Sequence, residues 1–144
     1  MIDKSAIEKD KFVRKVITFG VFDYFHLGHL RLFKRAKKLG DYLIVAVQDG
    51  NYILKTKPNA TIMYSTMERK ELVSALRVVD EVVTYTDVDV SIKEFDFDVF
   101  VVGEDQNHDG FQRAIQWCND NEKKVVRLER TRGICSSDIK SNLK

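Results

Sequence analysis

Five short apolar runs punctuate this chain: residues 16–20 (VITFG), 42–47 (YLIVAV), 81–85 (EVVTY), 98–103 (DVFVVG) and 124–128 (KVVRL). Runs this short and this rich in β-branched residues read as strands buried on both faces, because a half-exposed strand would alternate polar with apolar positions. Amphipathic sequence separates them. Residues 29–39 place Leu30, Leu32, Phe33, Ala36 and Leu39 on one face with basic residues between, which predicts a helix, and Gly40 is the expected C-terminal stop. A second helix is expected at 66–77, with Met67, Leu72, Val73 and Leu76 facing inward, and a third at 110–118. A last one should begin at a Ser136 or Ser137 cap and run to about residue 143. Residues 48–65, with the sole proline Pro58, read as a long connection. Strands alternating with helices imply a parallel sheet covered on both faces, and right-handed crossovers make it a doubly wound, Rossmann-like five-stranded α/β domain. Ligands of such sheets bind beyond the carboxyl ends of the strands.

Length and charge narrow the function. A chain of 144 residues fits one domain, here 16–144, behind a polar extension at 1–15 that lacks a signal-peptide pattern. The net charge of +2 gives no global case for nucleic acid or an acidic membrane, and no apolar run approaches the ~18 residues of a membrane span. Cys118 and Cys135 have no metal-site spacing, which suits a reducing, cytoplasmic setting. Charge is uneven, however. Residues 30–40 carry five basic groups and no acid, 87–109 carry eight acids against Lys93, and 123–144 carry seven basic groups against two acids. Each run can be a solvated face; together they also suit an anionic ligand with a cation nearby.

The stretch Phe25-His26-Leu27-Gly28-His29 follows the first strand, where this architecture puts chemistry. If a helix begins near Leu27 or Gly28, the two imidazoles lie about one turn apart beside amides that favour phosphate. Gly28 and Gly20 would let a ligand approach the backbone. A single histidine here would read as structural, and zinc would need three or four ligands that the spacing does not supply. The pair with a glycine at a strand-to-helix turn reads as a phosphate pocket with two titratable donors.

"GVFDYFHLGH" resembles the H-x-G-H signature of the nucleotidylyltransferase superfamily. "RTRGICSSDIK" (130–140) resembles the R-T-x-G-I-S-T-T/S motif of the cytidylyltransferases, "MERKELVSALRVVDEVV" (67–83) their E-x-R segment, and "VVGED" (101–105) their G-D-D turn. The similarity runs in order over about 16–140 and is greatest to the bacterial glycerol-3-phosphate cytidylyltransferases. The resemblance implies CTP and a small phospho-alcohol as substrates, Mg²⁺ with the nucleotide, and a homodimer. It implies that His26, His29, Lys55 and Arg130 carry the chemistry. Phe19, Gly20, Val21, Phe22, Gly28, Thr131, Gly133, Ile134, Ser136 and Ser137 would then hold the nucleotide. Asp23, Asp49, Lys57, Arg69 and Asp105 would lie toward the acceptor, with Asp23 or Asp105 also able to hold Mg²⁺.

Plainer roles compete: loop charges for the lysines, a surface position for Arg69, turns or caps for the acids and serines. The sequence also departs from the family pattern at Val21, Gln48, Glu104 and Cys135, and "YTDVDVS" (85–91), just after the third strand, has no tryptophan, Trp117 lying elsewhere. These changes spare the nucleotide end and leave the acceptor open, with ATP-dependent adenylyl transfer to a sugar phosphate or flavin mononucleotide, or a non-catalytic nucleotide-binding regulator, as rivals.

Overall fold

The computed structural model describes residues 13–129. The order is β1 (Lys15–Gly20), α1 (Leu27–Lys37), β2 (Tyr42–Gln48), α2 (Gly50–Thr56), α3 (Thr66–Ser74), β3 (Glu81–Tyr85), α4 (Val88–Ser91) running into a 3₁₀ turn (Ile92–Glu94), β4 (Val99–Gly103), α5 (Asp109–Asp120) and β5 (Lys124–Leu128). All pairings are parallel, in the order β3-β2-β1-β4-β5. All five expected strands form. The expected serine-capped last helix lies outside the described residues.

The inner strands β1, β2 and β4 are mostly apolar because both their faces are covered, whereas the edge strands β3 and β5 expose Glu81, Thr84, Lys124 and Arg127, so the expectation of full burial is corrected for those two. Val16, Leu43, Val45, Val47, Val99 and Val101 pack on one face with Phe33 and Ala36 of α1 and Val73 of α3. Ile17, Phe19, Ile44, Ala46, Phe100 and Val102 pack on the other with Phe111, Ala114 and Cys118 of α5. Burial pushes the Cys118 thiol up to about 11, so it behaves as an inert core residue.

An aspartate stands before each of β2, β3 and β4, and each does the same work. Asp41 N donates to Arg14 O while Asp41 Oδ2 accepts from Arg14 N. Asp80 pairs in this way with Leu43, and Asp98 with Lys15. Each side chain supplies one more rung at the amino-terminal edge of the sheet. Gly40 serves this edge too. A Cβ there would lie 2.6 Å from Arg14 O, so close approach to the strand requires glycine.

Three further expectations change. The 48–65 connection contains α2, capped by Asp49, whose Oδ2 accepts from Tyr52 N. Met67 and Leu72 face solvent, at 72% and 46% exposure, because Arg69 and Val73 form the inner face of α3. The acidic stretch at 87–109 is not one surface: Asp89 pairs with Arg113, Asp96 with Lys15, and Asp98 joins the strand edge.

Candidate active site at the carboxyl ends of β1 and β4

Beyond β1 the chain turns toward α1 on one face, and beyond β4 toward α5 on the other. The crevice between these departures is the switch point of the sheet. The β1–α1 loop takes a costly path. Phe22 and Tyr24 have φ of 54° and 50°, a region that costs bulky residues on the order of 1–3 kcal/mol each. Burial of Phe22 offsets this: its ring meets Phe33 at 5.0 Å and His29 at 5.5 Å. A Cβ on Gly20 would lie 2.6 Å from Phe22 Cζ, so Gly20 makes room for this ring. Phe19 is likewise a core residue, edge-on to Tyr85 and Phe100, and offers the crevice only backbone.

His26 caps α1. Its Nδ1 accepts from Gly28 N at 3.0 Å, and His29 Nδ1 accepts from His26 N at 3.2 Å. This is a capping box built from two imidazoles, stacked 3.9 Å apart. An amide can only donate, so each Nδ1 is bare and each neutral ring carries its proton on Nε2. Burial lowers both pKa values; for His29, burial and then His26 bring it to about 4. Near neutral pH the pair is therefore two oriented, uncharged N–H donors beside the amides of a helix N-terminus.

Arg69 is not at the surface. It is fully buried and reaches the carboxyl ends of β1 and β2. Its Nη1 donates to Val21 O at 2.9 Å and Gln48 O at 2.8 Å, and its Nε to Tyr64 O at 3.1 Å. Burial lowers its pKa, while Asp23, Asp49 and Tyr85 favour the charged form. Asp23 is buried as well, accepting from Met63 N at 2.6 Å and Tyr64 N at 3.0 Å. Gly50 N donates to Thr66 Oγ1 at 2.8 Å. The predicted acceptor-side residues Asp23, Asp49 and Arg69 thus converge, as a latch binding the β1 loop, α2 and the start of α3. Their hydrogen bonds run to the protein's own backbone and to Thr66.

Beside the latch, over the ends of β2 and β3, lies an open cavity of about 590 Å³, walled by Leu54, Ile62, Met63 and Met67 with polar Asn51 and Thr84. No residue of the β1–α1 loop or of the turn after β4 lines it. Lys55 and Lys57 are exposed at the end of α2.

Across the crevice, Asp105 is exposed in the turn after β4. His108 caps α5 as His26 caps α1, its Nδ1 accepting from Gly110 N at 3.1 Å. The sequence reading missed it, although H-x-G occurs at both 26–28 and 108–110. At the end of β5, Glu129 O accepts from Arg35 of α1 at 2.8 Å. The predicted Arg130, Thr131, Gly133, Ile134, Ser136 and Ser137 lie outside the described residues.

A doubly wound parallel sheet, with paired imidazole donors at the helix N-terminus beside its switch point, defines a phosphate-handling α/β enzyme. The chain belongs to the cytidylyltransferase-like family, which it matches over residues 17–142. It is 36% identical to the glycerol-3-phosphate cytidylyltransferase of Bacillus subtilis strain 168, over 91% of this chain and 98% of that one. It is 40% identical to the FAD synthase of Thermococcus sibiricus, over 66% of each chain. The lipopolysaccharide core biosynthesis protein of Thermoplasma volcanium superposes with a TM-score of 0.70 at 29% identity, covering 83% of this chain and 98% of that one. The family and the nucleotidyltransferase class read from the motifs are borne out. No helix among the described residues is long and apolar enough to cross a membrane.

Proposed function

We propose that this enzyme transfers CMP from CTP to a small phosphorylated alcohol, with glycerol 3-phosphate as first candidate, giving a CDP-alcohol and pyrophosphate. The observation that carries this reading is the two-imidazole cap, which leaves His26 and His29 Nε2–H as fixed donors for phosphate oxygens. An acceptor phosphate oxygen attacks the α-phosphorus in line. The bond from that phosphorus to the bridging oxygen breaks, and pyrophosphate leaves. No covalent enzyme intermediate is needed, so the protein's share is positioning and charge stabilisation. The imidazoles and the α1 amides meet the phosphates, while Lys55, Lys57 and Arg130 add charge. Thr131, Gly133, Ile134, Ser136 and Ser137 hold the nucleotide end.

Mg²⁺ would supply further charge neutralisation on the triphosphate. Asp105, exposed in the turn after β4, is the carboxylate that would meet the ion there. A homodimer in the cytoplasm completes the reading, and light scattering tests the assembly.

Adenylyl transfer from ATP to flavin mononucleotide or a sugar phosphate is the second reading. The likeness to FAD synthases and the apolar wall of the β2–β3 cavity favour it. Pyrophosphate release, with CTP and ATP each crossed against glycerol 3-phosphate, other phospho-alcohols and flavin mononucleotide, separates the two. Release with CTP and a phospho-alcohol is expected. CTP binding with no release for any acceptor would instead indicate a regulator.

A further inference from the structure

The ladder between the two central strands stops short. β1 pairs with β2 as far as Gly20↔Val47, and β4 with β5 as far as Gly103↔Leu128. β1 and β4 pair only as far as Thr18↔Val101. The sheet therefore splits over its last two residues, at the switch point where a nucleotide would enter. Thr18 Oγ1, on the last rung, is buried with no partner among the described residues.

One side chain spans the split. Gln106 Nε2 donates to Phe19 O at 2.6 Å, and Gly103 N donates to Gln106 Oε1 at 2.9 Å. A carboxamide carries the same donor and acceptor as a peptide group. Gln106 so lends the sheet a rung that neither strand provides. Arg127 of β5 braces the same turn, its Nη1 donating to Gly103 O at 2.8 Å and Gln106 O at 3.3 Å.

We propose that Gln106 is a positioning residue of the active site: its carboxamide bridge fixes the gap between the β1–α1 loop bearing His26 and His29 and the turn after β4. The argument is steric and electrostatic. Without the bridge, Phe19 O and Gly103 N lose a partner inside a half-buried cleft, and a lost partner there favours either closure of the ladder or entry of water. Either changes the cleft width, and phosphoryl-type transfer is sensitive to misplacement of about 1 Å. A backbone ladder continued to Gly103 would fill the cleft; a side-chain bridge holds it open at a fixed width. The functional part of the inference rests on the proposed reading that the nucleotide occupies this crevice.

Two variants test it. Gln106→Leu keeps bulk and removes both bonds. Gln106→Glu can still accept from Gly103 N, but when ionised it sets a carboxylate against Phe19 O. Its protonated form restores the donor. Expected results are a tenfold or greater rise in nucleotide KM for both variants at pH 8, with acceptor KM within twofold. The Gln106→Glu defect, taken as a ratio to the wild-type protein at each pH, should shrink toward pH 5.5, and the Gln106→Leu defect should not. Nucleotide KM unchanged within twofold, or an equal rise in both KM values tracking a loss of Tm, would overturn the positioning role. Amide exchange of Gly103 is the separate control. Slow exchange in the wild-type protein and fast exchange in Gln106→Leu support the bridge whether or not CTP or ATP is turned over. Fast exchange in the wild-type protein overturns it. Absence of turnover with either nucleotide, alongside slow exchange, would count against the proposed reaction and the positioning role, leaving only the bridge.

Discussion

Arg69→Met should unfold this protein more readily before it alters any substrate constant. The guanidinium is fully buried and donates to the carbonyls of Val21, Gln48 and Tyr64 and, at 3.3 Å, to Thr66 Oγ1. Methionine nearly fills the space but donates nothing. Hydrogen bonds from a charged donor contribute about 1.5–3 kcal/mol each, and they do not add fully because water and local shifts recover part. Asp23 and Asp49 also lose the cation that faces them. Removing one member of a buried charged set typically costs about 3–5 kcal/mol. In a chain of this size that corresponds to a Tm lower by roughly 10–20 °C. Thermal and urea unfolding followed by circular dichroism measure this, with steady-state kinetics on both substrates below the transition. Arg69→Lys should recover little, because an ammonium cannot reach three separate carbonyls in one fork. A Tm within about 3 °C of the unaltered protein, together with a selective rise in acceptor KM, would refute the latch and return Arg69 to the substrate.

Acid should weaken the fold through His29. Its folded pKa of about 4 lies below the ordinary 6.5, so the unfolded chain binds more protons between these values. Stability is then fully present above about pH 6.5 and falls as pH drops toward 4, by up to about 3 kcal/mol. Urea midpoints across that window check it, and a flat profile would contradict the burial argument. His26→Ala should lower kcat tenfold or more, a barrier increase of about 1.4 kcal/mol or above, while stability falls only by the ~0.5–2 kcal/mol of a lost N-cap. Equal turnover would dismiss the donor role. Gly20→Ala should cost about 1–3 kcal/mol, because its Cβ would meet the Phe22 ring at 2.6 Å. An unchanged urea midpoint would show that the ring has room to move.

The inner strands were readable because burial on both faces leaves little but Val, Ile, Leu and Phe; the half-exposed edge strands at 81–85 and 124–128 were readable from their paired valines and match their observed bounds. The paired histidines were readable because they lie at a strand-to-helix junction. What was hidden depends on partners distant in sequence. Arg69 looks like one more charge on a polar helix until Val21 and Gln48 are brought to it by β1 and β2. α2 was hidden because only Ile53 among its seven residues is buried, too weak a periodicity to detect. Asp49, expected near the acceptor, turns out to cap that helix. Gln106 carries no motif of its own; its task exists only where two strands separate.

The central strand pair joins stretches of chain far apart in the sequence: Lys15 bonds to Asp98, 83 residues later. A ribosome releasing this protein therefore frees β1, β2 and β3 well before β4. Until β4 arrives, β1 carries a bare edge in the middle of the future molecule, and the histidine donors face no opposite wall. A growing polypeptide at that stage is open to pairing with a neighbouring nascent chain, and it gains the crevice between β1 and β4 only as its second half docks.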